Sequence, residues 1–105
     1  MGRELILLLA LLSISVVRAE PTAARQSELR YLLRQDCGSC HGMWLKGGLG
    51  PSLLPSALQG KSDAFLEDTV LNGRAGTAMP PWAPLLTVDE VRWLIGELRR
   101  GPADE

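Results

Sequence analysis

Cys37-Gly38-Ser39-Cys40-His41 takes up both cysteines and the single histidine of the 105-residue chain. Two cysteines separated by two residues and followed at once by histidine form the attachment pattern of a c-type haem. The thiols of Cys37 and Cys40 can bond covalently to the two vinyl groups of the macrocycle. His41 is then held under the iron, where its imidazole can serve as proximal axial ligand. Two other chemistries use similar residues. A thioredoxin-type redox pair expects the cysteines at the start of a helix that follows a strand, and here a helical pattern precedes them. A structural zinc site needs four Cys or His ligands, and the chain offers three.

The sixth iron position decides what such a haem can do. A second protein ligand disfavours reactions at an open metal and suits electron transfer. Histidine is excluded as that ligand because His41 is the only one. Two methionines follow the haem motif, Met43 and Met79. Met43 is two residues past His41 and has no length of chain with which to reach the opposite haem face, so it reads as a gap-filling methionine in the core or at the surface. Met79 comes after a complete helical segment, in the loop from Gly73 to Trp82, with Pro80 and Pro81 stiffening the backbone behind it. Its thioether is a soft, neutral donor that favours reduced iron. The alternative is an open sixth site with Met79 in the core, which would make the chain a ligand-binding or sensing haem protein. The other nitrogen of His41 also needs a partner to fix the ring, and a carbonyl of the Gly50-Pro51 turn is the candidate. Trp44 and Trp82 lie in loops that can cover the macrocycle or pack in the core. Trp93 falls at the edge of the last helix contact.

These residues must be positioned by short elements. Leu29, Leu32 and Leu33 recur at helical spacing between Thr22 and Asp36, opposite Arg25, Glu28, Arg30, Arg34 and Gln35. This predicts an amphipathic helix running into the haem motif. Lys46 to Gly60, with Gly47, Gly48, Gly50, Pro51 and Pro55, reads as a wrapping loop. Ser62 caps a second helix from Asp63 to about Leu71, with Phe65, Leu66, Thr69 and Val70 on one face and Asn72-Gly73 as its stop. After the loop from Arg74 to Leu86, Thr87 and Glu90 form a capping box. Val91, Leu94, Ile95 and Leu98 are the buried stripe of a last helix that ends at Gly101-Pro102. No segment shows strand alternation. The expected architecture is all-α, three to four short helices around one covalently bound haem. The charge clusters Glu67-Asp68 and Arg99-Arg100 read as solvated faces.

Residues 1–19 carry Arg3, an apolar run from Leu5 to Val17, and Val17-Arg18-Ala19 before Glu20. That pattern predicts an export signal cleaved after Ala19, leaving 20–105 as the domain and placing it in the periplasm. An uncleaved anchor would leave the same domain tethered to the outer face of the inner membrane. The chain has 11 basic and 12 acidic residues. Without Arg3, Arg18 and Glu4 the balance is near −2, which gives no reason to expect nucleic acid. A domain of 86 residues buries only about 60–65% of its unfolded surface, so an apolar macrocycle would complete its interior.

Cys37-x-x-Cys40-His41, Gly50-Pro51-x-Leu53, Met79-Pro80 and a capped final helix resemble, in that order, the class I c-type cytochromes. The resemblance implies a small helical fold with crossing first and last helices, haem c on Cys37 and Cys40, and axial ligation by His41 and Met79. One departure stands out: family members commonly have a Tyr just before the final Leu of the last helix, and this chain has Glu97 before Leu98. The segments from Leu33 to Met43, Leu45 to Pro51 and Gly76 to Trp82 are also similar to small periplasmic cytochromes encoded with cytochrome cd1 nitrite reductase in denitrifying bacteria. With the sixth position closed, the reading is a non-enzymatic electron carrier, a monomer that docks transiently and takes no small-molecule substrate. The partners that the closer likeness implies are the nitrite reductase or the proteins that mature haem d1, and a role confined to haem d1 assembly is the alternative to electron donation.

Overall fold

Thr22 opens the first helix by accepting the Arg25 amide on its side-chain oxygen at 3.2 Å. Helix α1 (Ala23–Leu32) runs without a break through a π-helical turn (Leu33–Cys37) into α2 (Gly38–His41). Three more helices follow: α3 (Pro55–Leu58), α4 (Asp63–Asn72) and α5 (Val88–Arg100). The structure is a computed structural model, and it describes Ser13 and residues 19–101. Counting the α1–α2 stretch as one body, four helical bodies and no strand are present among the described residues, as the all-α expectation required. The proposed leader, residues 1–19, lies outside the described residues apart from Ser13 and Ala19, and so does Pro102. Among the described residues no helix is long and apolar enough to cross a membrane.

The core is one cluster made by the first and last helices. Leu29 of α1 is fully buried against Val91, Leu94 and Ile95 of α5, with Leu86 beneath them. Positions 91, 94 and 95 lie on one face of a 3.6-residue helix and follow from the sequence spacing, whereas Leu98, expected in the same stripe, is only half-buried and outside this cluster. Helix α5 is fixed at its start by the expected capping box. The Thr87 hydroxyl takes the Glu90 amide at 3.1 Å, and the Glu90 carboxylate takes the Thr87 amide at 3.0 Å.

Two expectations for the middle of the chain are corrected. The segment from Lys46 to Gly60 is not all loop: Pro55 starts a turn of helix that buries Leu58 against α5. Proline at the first helical position has no amide to leave unpaired, so it favours helix there. In α4 the inward residues are Leu66, Val70 and Leu71, whereas Phe65 is 46% exposed and Thr69 turns its hydroxyl onto the Phe65 carbonyl. Leu66 and Val70 are four residues apart and stack on one face, which leaves Phe65 about 100° round the helix from Leu66 and about 140° from Val70.

The first and last helices are also joined by charge. Arg25 pairs with Glu90, and Arg30 reaches Glu97 at 3.3 Å while its guanidinium lies 5.0 Å from the centre of the Trp93 ring. Glu97, at the position where the resemblance implies a tyrosine, takes part in the crossing as the acceptor for Arg30 and is held on its own helix by Arg100. Trp93 supplies the aromatic surface, half-buried on the core. Glu67 and Arg99 are likewise more than solvated face. Glu67 accepts from Arg92 of α5, and Arg99 holds Asp63 and the Lys61 carbonyl, tying α5 to the start of α4.

Candidate haem site

The cysteines leave the same helical stretch one turn apart. The π turn ahead of them is closed by the Gly38 amide reaching back five residues to the Leu33 carbonyl. Such a turn holds one residue more than an α-turn, so it rotates Cys37, Cys40 and His41 relative to the Leu29 face that packs on α5. The repeat of apolar residues gave no sign of this shift. Cys37 and Cys40 are both free thiols and both half-buried. Burial, with Asp36 adding to it, pushes the Cys37 thiol up to about 11. It is therefore protonated at neutral pH, which is the reverse of the lowered thiol of a thioredoxin-type nucleophile. Among the described residues no group of three or more metal-binding side chains gathers as a zinc site would.

The chain then doubles back over the end of this turn. The carbonyls of Cys40 and His41, left without helical partners, accept the amides of Gly50 and Gly47, each at 2.8 Å. Leu45 sits at φ 59°, an uncommon conformation for a bulky residue, and its carbonyl is held by the Leu53 amide at 2.8 Å. This return brings the Pro51 carbonyl oxygen to 2.7 Å from His41 Nδ1, the partner expected from the Gly50-Pro51 turn. A carbonyl oxygen can only accept, so Nδ1 carries a proton, and in the neutral ring Nε2 is the nitrogen with the lone pair. Gly50 makes the approach possible: a Cβ there would lie 2.8 Å from both Nδ1 and Cε1 of the ring.

These residues fit a covalent haem. Two thiols one turn apart and an imidazole oriented through its Nδ1–H are the donor set such a group needs. Met43, 73% exposed, is no core residue, and the surface half of the expectation for it holds. Trp44 is also exposed, whereas Trp82 is half-buried against the core.

Met79 is half-buried in a loop fastened along its length. Its carbonyl accepts the Arg74 amide at 3.2 Å and its amide donates to the Thr77 hydroxyl at 3.3 Å. Beyond the two prolines, the amides of Trp82 and Ala83 reach back to the carbonyls of Val70 and Leu71 at 2.9 and 3.0 Å. The free C-terminal carbonyls of α4 thus anchor the loop.

A family model described as cytochrome c oxidase, cbb3-type, subunit III matches residues 24–96. Cytochrome c55X of Paracoccus denitrificans is 54% identical over 91 residues, covering 87% of this chain and 88% of the relative. The chain belongs to the cytochrome c55X family of c-type cytochromes. A solved structure described as c-type cytochrome NirC is 55% identical with a TM-score of 0.76, covering 78% of this chain and all of that one. The dihydro-heme d1 dehydrogenase of Pseudomonas aeruginosa is 36% identical over 74 residues, 70% of this chain but 15% of that much longer protein. As a member of this cytochrome family the chain carries one covalent haem c and acts as an electron-transfer protein rather than an enzyme. The haem supplies one-electron cycling of its iron between ferric and ferrous states.

Proposed function

We propose that this cytochrome is an exported, periplasmic carrier whose haem is bonded to Cys37 and Cys40 and whose iron is held by His41 and Met79. In this reading residues 1–19 are a cleaved leader and 20–105 the mature domain. The observation that supports Met79 best is the fastening of its loop to α4: a fixed backbone lets a thioether act as a permanent ligand. His41 and Met79 would then hold the iron between them, and the haem would supply electron transfer rather than substrate binding.

The electron acceptor in this proposal is cytochrome cd1 nitrite reductase. The support is the likeness to small cytochromes encoded with that enzyme, since fold alone does not choose a partner. Contact between the two is transient, burying less than about 1,200 Å² as redox encounters do. A second reading has its own observation: a stretch of the dihydro-heme d1 dehydrogenase is similar to most of this chain. It makes the cytochrome an electron-transfer factor in haem d1 maturation. Deleting the gene separates the two. Normal haem d1 content with slowed nitrite reduction supports donation, and loss of haem d1 from the reductase supports maturation.

A further inference from the structure

We propose that Gly73 is a positioning residue that sets the place of Met79 at the iron, with Thr77 holding the same turn from its other end. The inference rests on the reading of Met79 as distal ligand. Gly73 follows α4 at φ 68° and ψ −168°, a conformation essentially restricted to glycine. It is also pressed against the ligand segment. A Cβ on Gly73 would lie 2.6 Å from the Met79 carbonyl oxygen, 2.8 Å from the Pro80 carbonyl carbon and 2.9 Å from the Pro81 nitrogen. All three are main-chain atoms, and the two prolines give that backbone little freedom to yield.

The next residue shows what the close approach accomplishes. The Arg74 amide donates to the same Met79 carbonyl at 3.2 Å. The Thr77 hydroxyl takes the Met79 amide at 3.3 Å and donates to the Arg74 carbonyl at 2.7 Å. Both polar atoms of the Met79 backbone are therefore held by the turn that Gly73 begins, and any side chain at 73 would push the methionine outward. Gly76 provides an internal comparison. It lies in the same loop at φ 75°, yet a Cβ there would meet nothing within 4 Å. Alanine at 73 and at 76 both strain the backbone, but only the first collides with the ligand segment.

The test compares Gly73→Ala, Gly76→Ala and Met79→Ala as exported holoproteins. Far-UV circular dichroism and covalent haem content check the fold, while far-red absorption of the ferric form and the reduction potential read the ligand. Gly73→Ala is expected to keep its helices and haem, lose the sulfur-to-iron charge-transfer band, and fall in potential toward Met79→Ala. Gly76→Ala is expected to keep both band and potential. A native band and potential in Gly73→Ala, while Met79→Ala loses them, overturns the role of Gly73 and leaves the ligand standing. Loss of the band in Gly76→Ala as well overturns it too, because strain alone would then suffice. A band that survives Met79→Ala refutes the ligand assignment itself. Should Gly73→Ala not accumulate, Thr77→Val decides: a lower temperature for loss of the band supports the restraint, and an unchanged one overturns it.

Discussion

The Nδ1–H of His41 donates to a carbonyl, and that one bond determines which nitrogen is available to a metal. The sequence gives the ring its place beside Cys40, and the Gly50-Pro51 turn gave away its partner. What the residue string did not display is how closely Gly50 lies on the ring, because the absence of a side chain carries meaning only once the neighbour is in view. The same holds for Gly73. As part of Asn72-Gly73 it reads as a helix stop, and its contact with Met79 depends on a loop that returns six residues later. The two methionines allow a direct comparison. Met79→Ala is expected to lower the reduction potential by on the order of 0.1 V or more, within the roughly 0.8 V that axial ligands control, and to let the reduced iron bind carbon monoxide. Met43→Ala, at an exposed position, should change neither. Potentiometry on both variants checks this, and equal effects would mean that the distal ligand is not Met79.

At the scale of elements, the capped helices were legible and the irregular turns were not. Ser62 and Thr87 cap α4 and α5 where their hydroxyls precede acidic first turns, and the α5 stripe follows directly from its spacing. The π turn escaped because one extra residue leaves no mark on the apolar repeat, and the one-turn α3 because it depends on Leu58 finding α5. Removing the cap of α5 tests how much local structure contributes. Thr87→Ala is expected to destabilise by about 1 kcal/mol, lowering the thermal midpoint by roughly 4–8 °C. Circular dichroism melting of the holoprotein measures it, and the potential should stay unchanged because the bond lost, from the Glu90 amide, is not one of those that hold Met79.

For the molecule as a whole, a small core is reinforced by ion pairs between α1 and α5. Hydrogen bonding from Arg25, helped by the Thr87 amide, holds the Glu90 carboxyl below its ordinary 4.5. Burial alone would raise Glu97, but Arg100 and Arg30 outweigh it and hold that group low as well. A carboxyl lowered by folding stabilises the native state above its unfolded value and loses that contribution as pH falls through the folded one. Stability is therefore expected to decline on acidification below about pH 4.5, and Glu90→Gln with Glu97→Gln should flatten the decline, as denaturant midpoints across pH will report. Composition and motif carried the helical class and the haem chemistry, while the charged crossing was hidden because the residues that meet are 65 and 67 positions apart. Electron transfer by this molecule depends on a haem c iron closed by His41 and Met79, as proposed above. That closure is tested most directly by the absorption spectrum of the purified, exported protein. With Met79 as ligand, the ferric form is expected to be low-spin with a far-red sulfur-to-iron charge-transfer band, and the reduced form to be unchanged by carbon monoxide. A high-spin ferric spectrum whose reduced form shifts with carbon monoxide would contradict that ligation.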